Sequence, residues 1–286
     1  MRSLKEIRSR LSSITSTRKI TSAMKMVSSV KLRKAQDVVS NFIPYREKLR
    51  TILCNLLYTE NEQEISLATK RIVQNVSIVV FSSNTGLCGA YNANVYKKFG
   101  SVLEKYKHLP PENIYIYSVG KHISDILHRQ KMNFINLQEL SEKPTFANVG
   151  AFANELMEKF LTKKTDEVVL VYNFFKNAAV QKPSSETLLP ITIKSCKNEN
   201  KNRDYILEPT REELIADFLP RTVRLHLYNV IINTLAAEQG ARTTAMQIAT
   251  DNANSLLHEL HLEYNKARQE TITKQILDIV GGAEAL

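Results

Sequence analysis

The chain has 286 residues, 43 % of them hydrophobic, and a formal net charge of +10. No stretch approaches the roughly 18 uninterrupted apolar residues of a membrane-spanning helix. Cys54, Cys88 and Cys196 are odd in number and widely spaced, which argues against a disulfide framework or a cysteine zinc site and fits a reducing, cytoplasmic compartment.

The N-terminus, MRSLKEIRSRLSS, has no apolar core of a secretory signal. It is basic and Ser-rich like a mitochondrial transit peptide, but its periodicity runs on past residue 30, so it reads as mature structure. Residues 1–43 contain neither Gly nor Pro, and Leu4, Ile7, Leu11 and Ile14 recur at coiled-coil spacing. Ile20, Met24 and Val27 are expected to continue that seam. Ten basic residues stand against Glu6 alone in residues 1–36, a net +9, so the charge of the chain is the charge of this one helix. Pro44 marks a bend or restart, and YREKLRTILCNLLY carries helix to about Tyr58 before a polar linker, TENEQEISLATKR.

The middle alternates β-branched runs with helical spacing. NVSIVVFSS (75–83) reads as a strand entering a glycine-bearing loop, NTGLCGA, and then a helix, NANVYKKFGSVLEKYK. NIYIYSVG, a helix at KHISDILHRQK, a further helix at ANVGAFANELMEKFLTKK and the strand DEVVLVYNFF follow. Such alternation predicts a small parallel, Rossmann-like α/β sheet with right-handed crossovers. Segments ending at Phe175 and beginning at Glu186 are expected to close it as a hairpin. After the polar loop KNENKNRD, Glu208-Pro209-Thr210 reads as a helix start, with Glu212 and Glu213 suited to the positive end of the helix dipole.

Residues 221–280 contain no Pro and only Gly240, and carry six basic and six acidic residues. As one helix they would span roughly 90 Å at about 1.5 Å per residue. Such a rod needs a partner along its length, and the N-terminal helix is the available one. Met246, Ala249, Ala253, Leu256 and Leu260, with Ala267 on the same stripe, are expected to form its seam. The predicted fold is therefore a long antiparallel coiled coil of the N- and C-terminal helices with an inserted α/β domain: 1–58 and 209–286 for the coil, 72–196 for the domain. An ordinary helical bundle is the alternative.

Few residues point to chemistry. Gly86 and Gly89 follow a strand where a phosphate could sit at a helix N-terminus, but GLCGAYN lacks the third glycine of a dinucleotide fingerprint. His258 and His261 lie three apart, not four as in a metalloprotease helix. No catalytic, cofactor-binding or metal-binding residue is assigned. The basic helix could bind nucleic acid electrostatically, yet no aromatic precedes Phe42 to stack bases. A coiled-coil face beside acidic protein surfaces is the preferred reading over nucleic acid or membrane.

The segment LKEIRSRLSSITSTRKITSAMKMVSSVKLRKAQ, with its KIT-x-AM-x-MV core at Lys19–Val27, resembles the start of the gamma subunits of F-type ATP synthases. AMQIATDNANSLLHELHLEYNKARQETITKQILDIVGGAEAL resembles their closing helix, SSNTGLCGAYN their first strand-loop, and DYILEP their lower-stalk turn. The resemblance covers essentially the whole chain. It implies a non-catalytic rotor inside three alpha and three beta subunits, attached with epsilon to a membrane c ring, with no cofactor of its own. It further implies beta-subunit contacts at Met24, Lys25, Arg268, Gln269, Thr273, Gln275 and Asp278, and c-ring contacts at Tyr205 and Glu208. Gln275 stands where the family usually carries Glu, and the inserted cysteine pair of the chloroplast form is missing. The initiating Met directly before the helix favours a bacterial protein, peripheral on the cytoplasmic face of the inner membrane.

Overall fold

The computed structural model describes residues 3–57, 66–142, 144–191, 208 and 210–284. Its elements, in chain order, are α1 (Leu4–Leu57), β1 (Val76–Phe81), α2 (Tyr91–Lys105), β2 (Ile114–Val119), α3 (Lys121–Arg129), β3 (Ile135–Asn136), α4 (Gln138–Glu142), α5 (Phe146–Leu161), β4 (Glu167–Phe175), β5 (Gln181–Leu189) and α6 (Arg211–Glu284). The fold is mixed α/β with two long terminal helices. Contacts divide the chain into two units, residues 1–29 with 242–286, and residues 30–241.

In the larger unit the sheet order is β3-β2-β1-β4-β5. β1 pairs in parallel with β2 and β4, β3 in parallel with β2, and β5 returns antiparallel to β4. Every residue of β1 is buried, as expected of a central parallel strand covered on both faces. Successive residues divide between two cores, following the two-residue period of a strand. Val79 and Phe81 join α5 and the adjoining parts of α1 and α6; Ile78 and Val80 join α2 and α3. The one hydroxyl inside β1, on Ser77, meets Thr165 Oγ1 at 3.0 Å, so its burial leaves no polar group unpaired. Asp166 Oδ2 accepts the backbone N–H groups of Gln74 and Asn75, fixing the entry to β1.

Several expectations change here. α1 runs unbroken through Pro44, against the expected bend or restart, and α6 likewise carries Pro220 within the helix. A proline removes one ladder bond, but Leu49 and Leu53 beyond Pro44 and Val223 and Leu227 beyond Pro220 are buried, and that packing holds each helix in line. β5 begins at Gln181, not Glu186, because its first half is a polar edge strand that carries no apolar alternation. The linker before β1 is not wholly polar: Leu67 and Ala68 are buried in the core, and Leu67 O accepts Ile191 N. Cys88 is a free, buried thiol, whereas Cys54 takes part in a disulfide, which departs from the fully reduced set expected. Thr210 does cap α6, its hydroxyl accepting Glu213 N at 3.3 Å. KNENKNRD lies outside the described residues.

A half-buried polar cluster joins the sheet edge to both long helices. His226 Nε2 of α6 lies 3.1 Å from Glu186 Oε1 of β5, an ion-pair distance without the alignment of a full hydrogen bond. Burial alone would raise the Glu186 pKa, but His226, the Tyr172 hydroxyl and the Arg46 charge outweigh it and hold the carboxyl below its ordinary 4.5. A depressed carboxylate contributes stability above its unfolded pKa and loses it as pH falls through the folded one. Glu186→Gln is therefore expected to cost about 1 kcal/mol at neutral pH, discounted for partial exposure. That deficit should shrink toward zero as urea titrations are taken below pH 4.5; a deficit independent of pH would overturn the assignment.

Candidate functional site

The smaller unit is built from two helix segments, so its geometry follows from how they meet. Thr250 Oγ1 donates to Thr21 Oγ1 at 2.8 Å, and Arg18 reaches Asn254 Oδ1 at 3.5 Å. Residue numbers falling on α1 as they rise on α6 make the pair antiparallel. Buried or half-buried residues on α1 recur at Leu4, Ile7, Leu11, Ile14, Arg18, Thr21, Lys25 and Ser28, an unbroken 3-4 alternation. On α6 they recur at Met246, Thr250, Ala253, Leu257, Leu260, Tyr264, Ala267 and Thr271.

This seam differs from the expected one at both ends. Ile20 and Val27 are 60 % and 56 % exposed, and the seam passes instead through Thr21, Lys25 and Ser28. Leu256 is 46 % exposed, while its neighbour Leu257 is buried at 7 %. Ala249 is half-buried beside the true seam residue, Thr250. Of the residues expected in the seam, Ile20 and Val27 on α1 and Leu256 on α6 thus face outward, alongside the exposed Met26, Ile248 and Leu262. The polar pair Thr21–Thr250 specifies register, the usual use of a hydrogen-bonding residue at a seam position.

Beyond Thr271 the seam ends, because α1 begins at Leu4 and its level on α6 has been passed. Ile272, Ile276, Leu277, Ile279 and Val280 are exposed by 45 % to 72 %. Large apolar residues repeated over the last turns of a helix form the kind of patch that marks an interaction surface.

The residues singled out by resemblance fall in separate places. Met24 and Lys25 are half-buried neighbours on α1, level with Met246. Arg268 and Gln269 are exposed on α6, roughly 30 Å further along the coil at about 1.5 Å per residue. Thr273, Gln275 and Asp278 are exposed among the overhanging residues, with Thr273 Oγ1 donating to Gln269 O. These do not form one patch. Glu208 is exposed in a bend before α6, and Tyr205 lies outside the described residues. His258 and His261 are both exposed on α6.

The sheet has the topological switch point where α/β folds hold ligands: β1 continues to β2 on one side and adjoins β4 on the other. Here the chain itself occupies the crevice. The loop after β1 is tied inward by Asn92, whose amide donates to Ser83 Oγ at 2.7 Å and whose oxygen accepts Ser83 N. Tyr91 OH donates to Thr234 O of α6, and Ala237 and Ala241 join the core on that face. The Gly86–Gly89 turn is thus part of a seat for a helix.

Comparison with known proteins bears on these surfaces. The family model described as ATP synthase matches residues 3–286. The chain is 45 % identical over 291 residues to the ATP synthase gamma chain of Phocaeicola vulgatus, covering 100 % of both. It is 47 % identical over 288 residues to the gamma chain of Christiangramia forsetii, covering 100 % of this chain and 99 % of that one. Among solved structures, a chain of the Euglena gracilis mitochondrial ATP synthase (OSCP, F1 and c-ring, rotational state 3) superposes with a TM-score of 0.66 at 23 % identity, covering 99 % of this chain and 94 % of that chain. A chain of the Tetrahymena thermophila mitochondrial central stalk and c-ring gives 0.57 at 22 % identity, over 80 % and 99 %. At that identity the two structures speak for the fold alone.

Proposed function

The chain belongs to the ATP synthase gamma-chain family, and from that premise we propose that it is the central-stalk rotor of an F-type ATP synthase. It couples ion-driven rotation of a membrane c ring to conformational change at catalytic beta subunits, and the chemistry of ATP belongs to those subunits. By role, 1–58 and 209–286 form the axle and 72–196 the lower-stalk domain. Attachment in this reading is peripheral, through the c ring and epsilon, at the cytoplasmic face of the bacterial inner membrane; no described helix is long and apolar enough to cross a membrane.

The overhanging apolar end of α6 carries this reading within the structure. Its exposed residues at 272, 276, 277, 279 and 280 have no cover from α1, and a ring of three alpha and three beta subunits would supply it. A rotor needs such a contact to be apolar and slim, since directional hydrogen bonds and ion pairs would favour one angle over others. Lower on the coil, Met24 and Lys25 and, nearer the tip, Arg268 and Gln269 are assigned to beta-subunit loops. Thr273, Gln275 and Asp278 are assigned to beta-subunit contacts higher on the axle. Glu208 and Tyr205 are assigned to the c ring.

The test is native mass spectrometry after co-expression with alpha and beta subunits of the same organism. One copy joined to three of each, with ATP hydrolysis gained by the complex, is the expected result. A folded chain that stays alone would overturn the proposal and bring nucleic-acid binding by the basic helix forward.

A further inference from the structure

A rotor must pass torque from its lower domain to its axle helix, and the contacts around the β4–β5 hairpin show where that transfer can occur. Beyond the apolar cores that α6 shares with β4 and β5, two specific contacts tie α6 to the hairpin. At the tip, a Cβ placed on Gly240 would lie 3.1 Å from Phe175 Cε2 and 3.4 Å from Ala178 Cα, so the helix backbone rests directly on the turn. The turn is itself shaped by Asn177, whose side-chain oxygen accepts the N–H groups of Ala179 and Val180. Toward the base of the hairpin, Glu186 meets His226 at 3.1 Å.

The two points are separated by about four turns of α6, two heptads, so both lie on one face of the helix. The hairpin therefore lies alongside α6 as a strip held at both ends. A third tie runs through Asn173 of β4, whose amide donates to Tyr91 O, and Tyr91 OH, which donates to Thr234 O. Apolar packing is non-directional and lets a helix shift against a sheet; two specific contacts on the same face, four turns apart, fix it against both rolling and tilting.

We propose that the β4–β5 hairpin is a torque brace, with Gly240 and the Glu186–His226 pair as its two anchor points. The proposal rests on the rotor reading above and adds to it the place where lower domain and axle are locked. Gly240 and His226 are positioning residues: they contact neither nucleotide nor ion, and act by keeping α6 in step with the sheet. A brace that slips leaves the axle able to turn under ATP hydrolysis while less of its rotation reaches the ring.

The experiment uses the complete enzyme in inverted membrane vesicles, comparing wild type, Gly240→Leu and the double variant Glu186→Gln/His226→Gln. ATP hydrolysis and ATP-driven uptake of the coupling ion, H⁺ or Na⁺, are measured on the same vesicles, and native mass spectrometry reports assembly. The expected result is near-normal assembly and hydrolysis, with ion uptake per ATP lowered severalfold. A loss of stability alone would lower hydrolysis and uptake together and leave their ratio unmoved. An unchanged ratio in the variants that assemble overturns the brace while leaving the rotor reading intact. If Gly240→Leu does not assemble, the polar double variant decides by the same ratio, since both its positions are about one-third exposed. A wild-type chain that joins no alpha and beta subunits removes the rotor reading itself, and the brace with it.

Discussion

Leu257→Asp is expected to lower the stability of the coiled coil by about 4 kcal/mol, whereas Leu256→Asp, one residue earlier, costs less than about 1 kcal/mol. The difference follows from burial: Leu257 is 7 % exposed and Leu256 is 46 % exposed. The Thr21–Thr250 and Arg18–Asn254 contacts set the register and place Ile14 and Leu11 level with Leu257 and Leu260. An aspartate at 257 removes the burial of a leucine and puts a charge into an apolar layer with no cation opposite. At 256 the same charge projects into water. Denaturant titration followed by helical circular dichroism separates the two. A larger loss from the 256 variant would mean that the seam runs where apolar spacing alone had placed it.

That pair of neighbours also shows what could be read from the residues and what could not. Met246, Ala253, Leu260 and Ala267 belong to both the expected and the observed seam, because a 3-4 and a 4-3 alternation coincide every seventh residue. The intervening positions went to the nearest apolar side chains, Ala249 and Leu256, since the actual ones include Thr250 and Tyr264. Polar residues are invisible to a hydrophobic pattern until their partners are known, and the partner of Thr250 lies 229 residues away in the chain. Arg18, Lys25 and Ser28 hid the α1 seam in the same way. The three parallel-paired strands other than β3 and the three longer crossover helices were legible, because their apolar runs are bounded by turns. The two-residue β3, the single-turn α4 and the polar half of β5 carried too little apolar signal. Of the candidate beta-subunit contacts, the sequence supplied the helices on which they lie; which ones meet another subunit depends on surfaces this chain does not contain. The outward apolar positions could have been found by asking which hydrophobic residues the seam leaves over.

Gly120→Ala is expected to destabilise the α/β unit by about 3 kcal/mol or more and to lower its melting temperature by on the order of 10 °C. Gly120 closes β2 with φ of +112°, a conformation L side chains rarely adopt, and an added Cβ would lie 2.2 Å from Ser82 O and 2.7 Å from Ser82 Oγ. The Ser82 backbone cannot retreat without breaking the bond from its N–H to Val119 O that continues the sheet. The close approach has a further use. The first three N–H groups of α3 are capped from the loop after β1: Lys121 N by Asn84 Oδ1, His122 N by Ser83 O and Ile123 N by Ser82 Oγ. Pushing that loop away exposes the donors of a buried helix start as well as straining the turn. Gly86→Ala serves as the control, because nothing lies within 4 Å of its added Cβ and its φ is not positive. A change within about 0.5 kcal/mol is expected there. Comparable losses from both substitutions would show that the loop tolerates a Cβ no better at its open end than at its closest contact. The glycine that matters here is thus the one at the crossing of two loops, and its role is to bring a helix N-terminus within reach of the neighbouring strand.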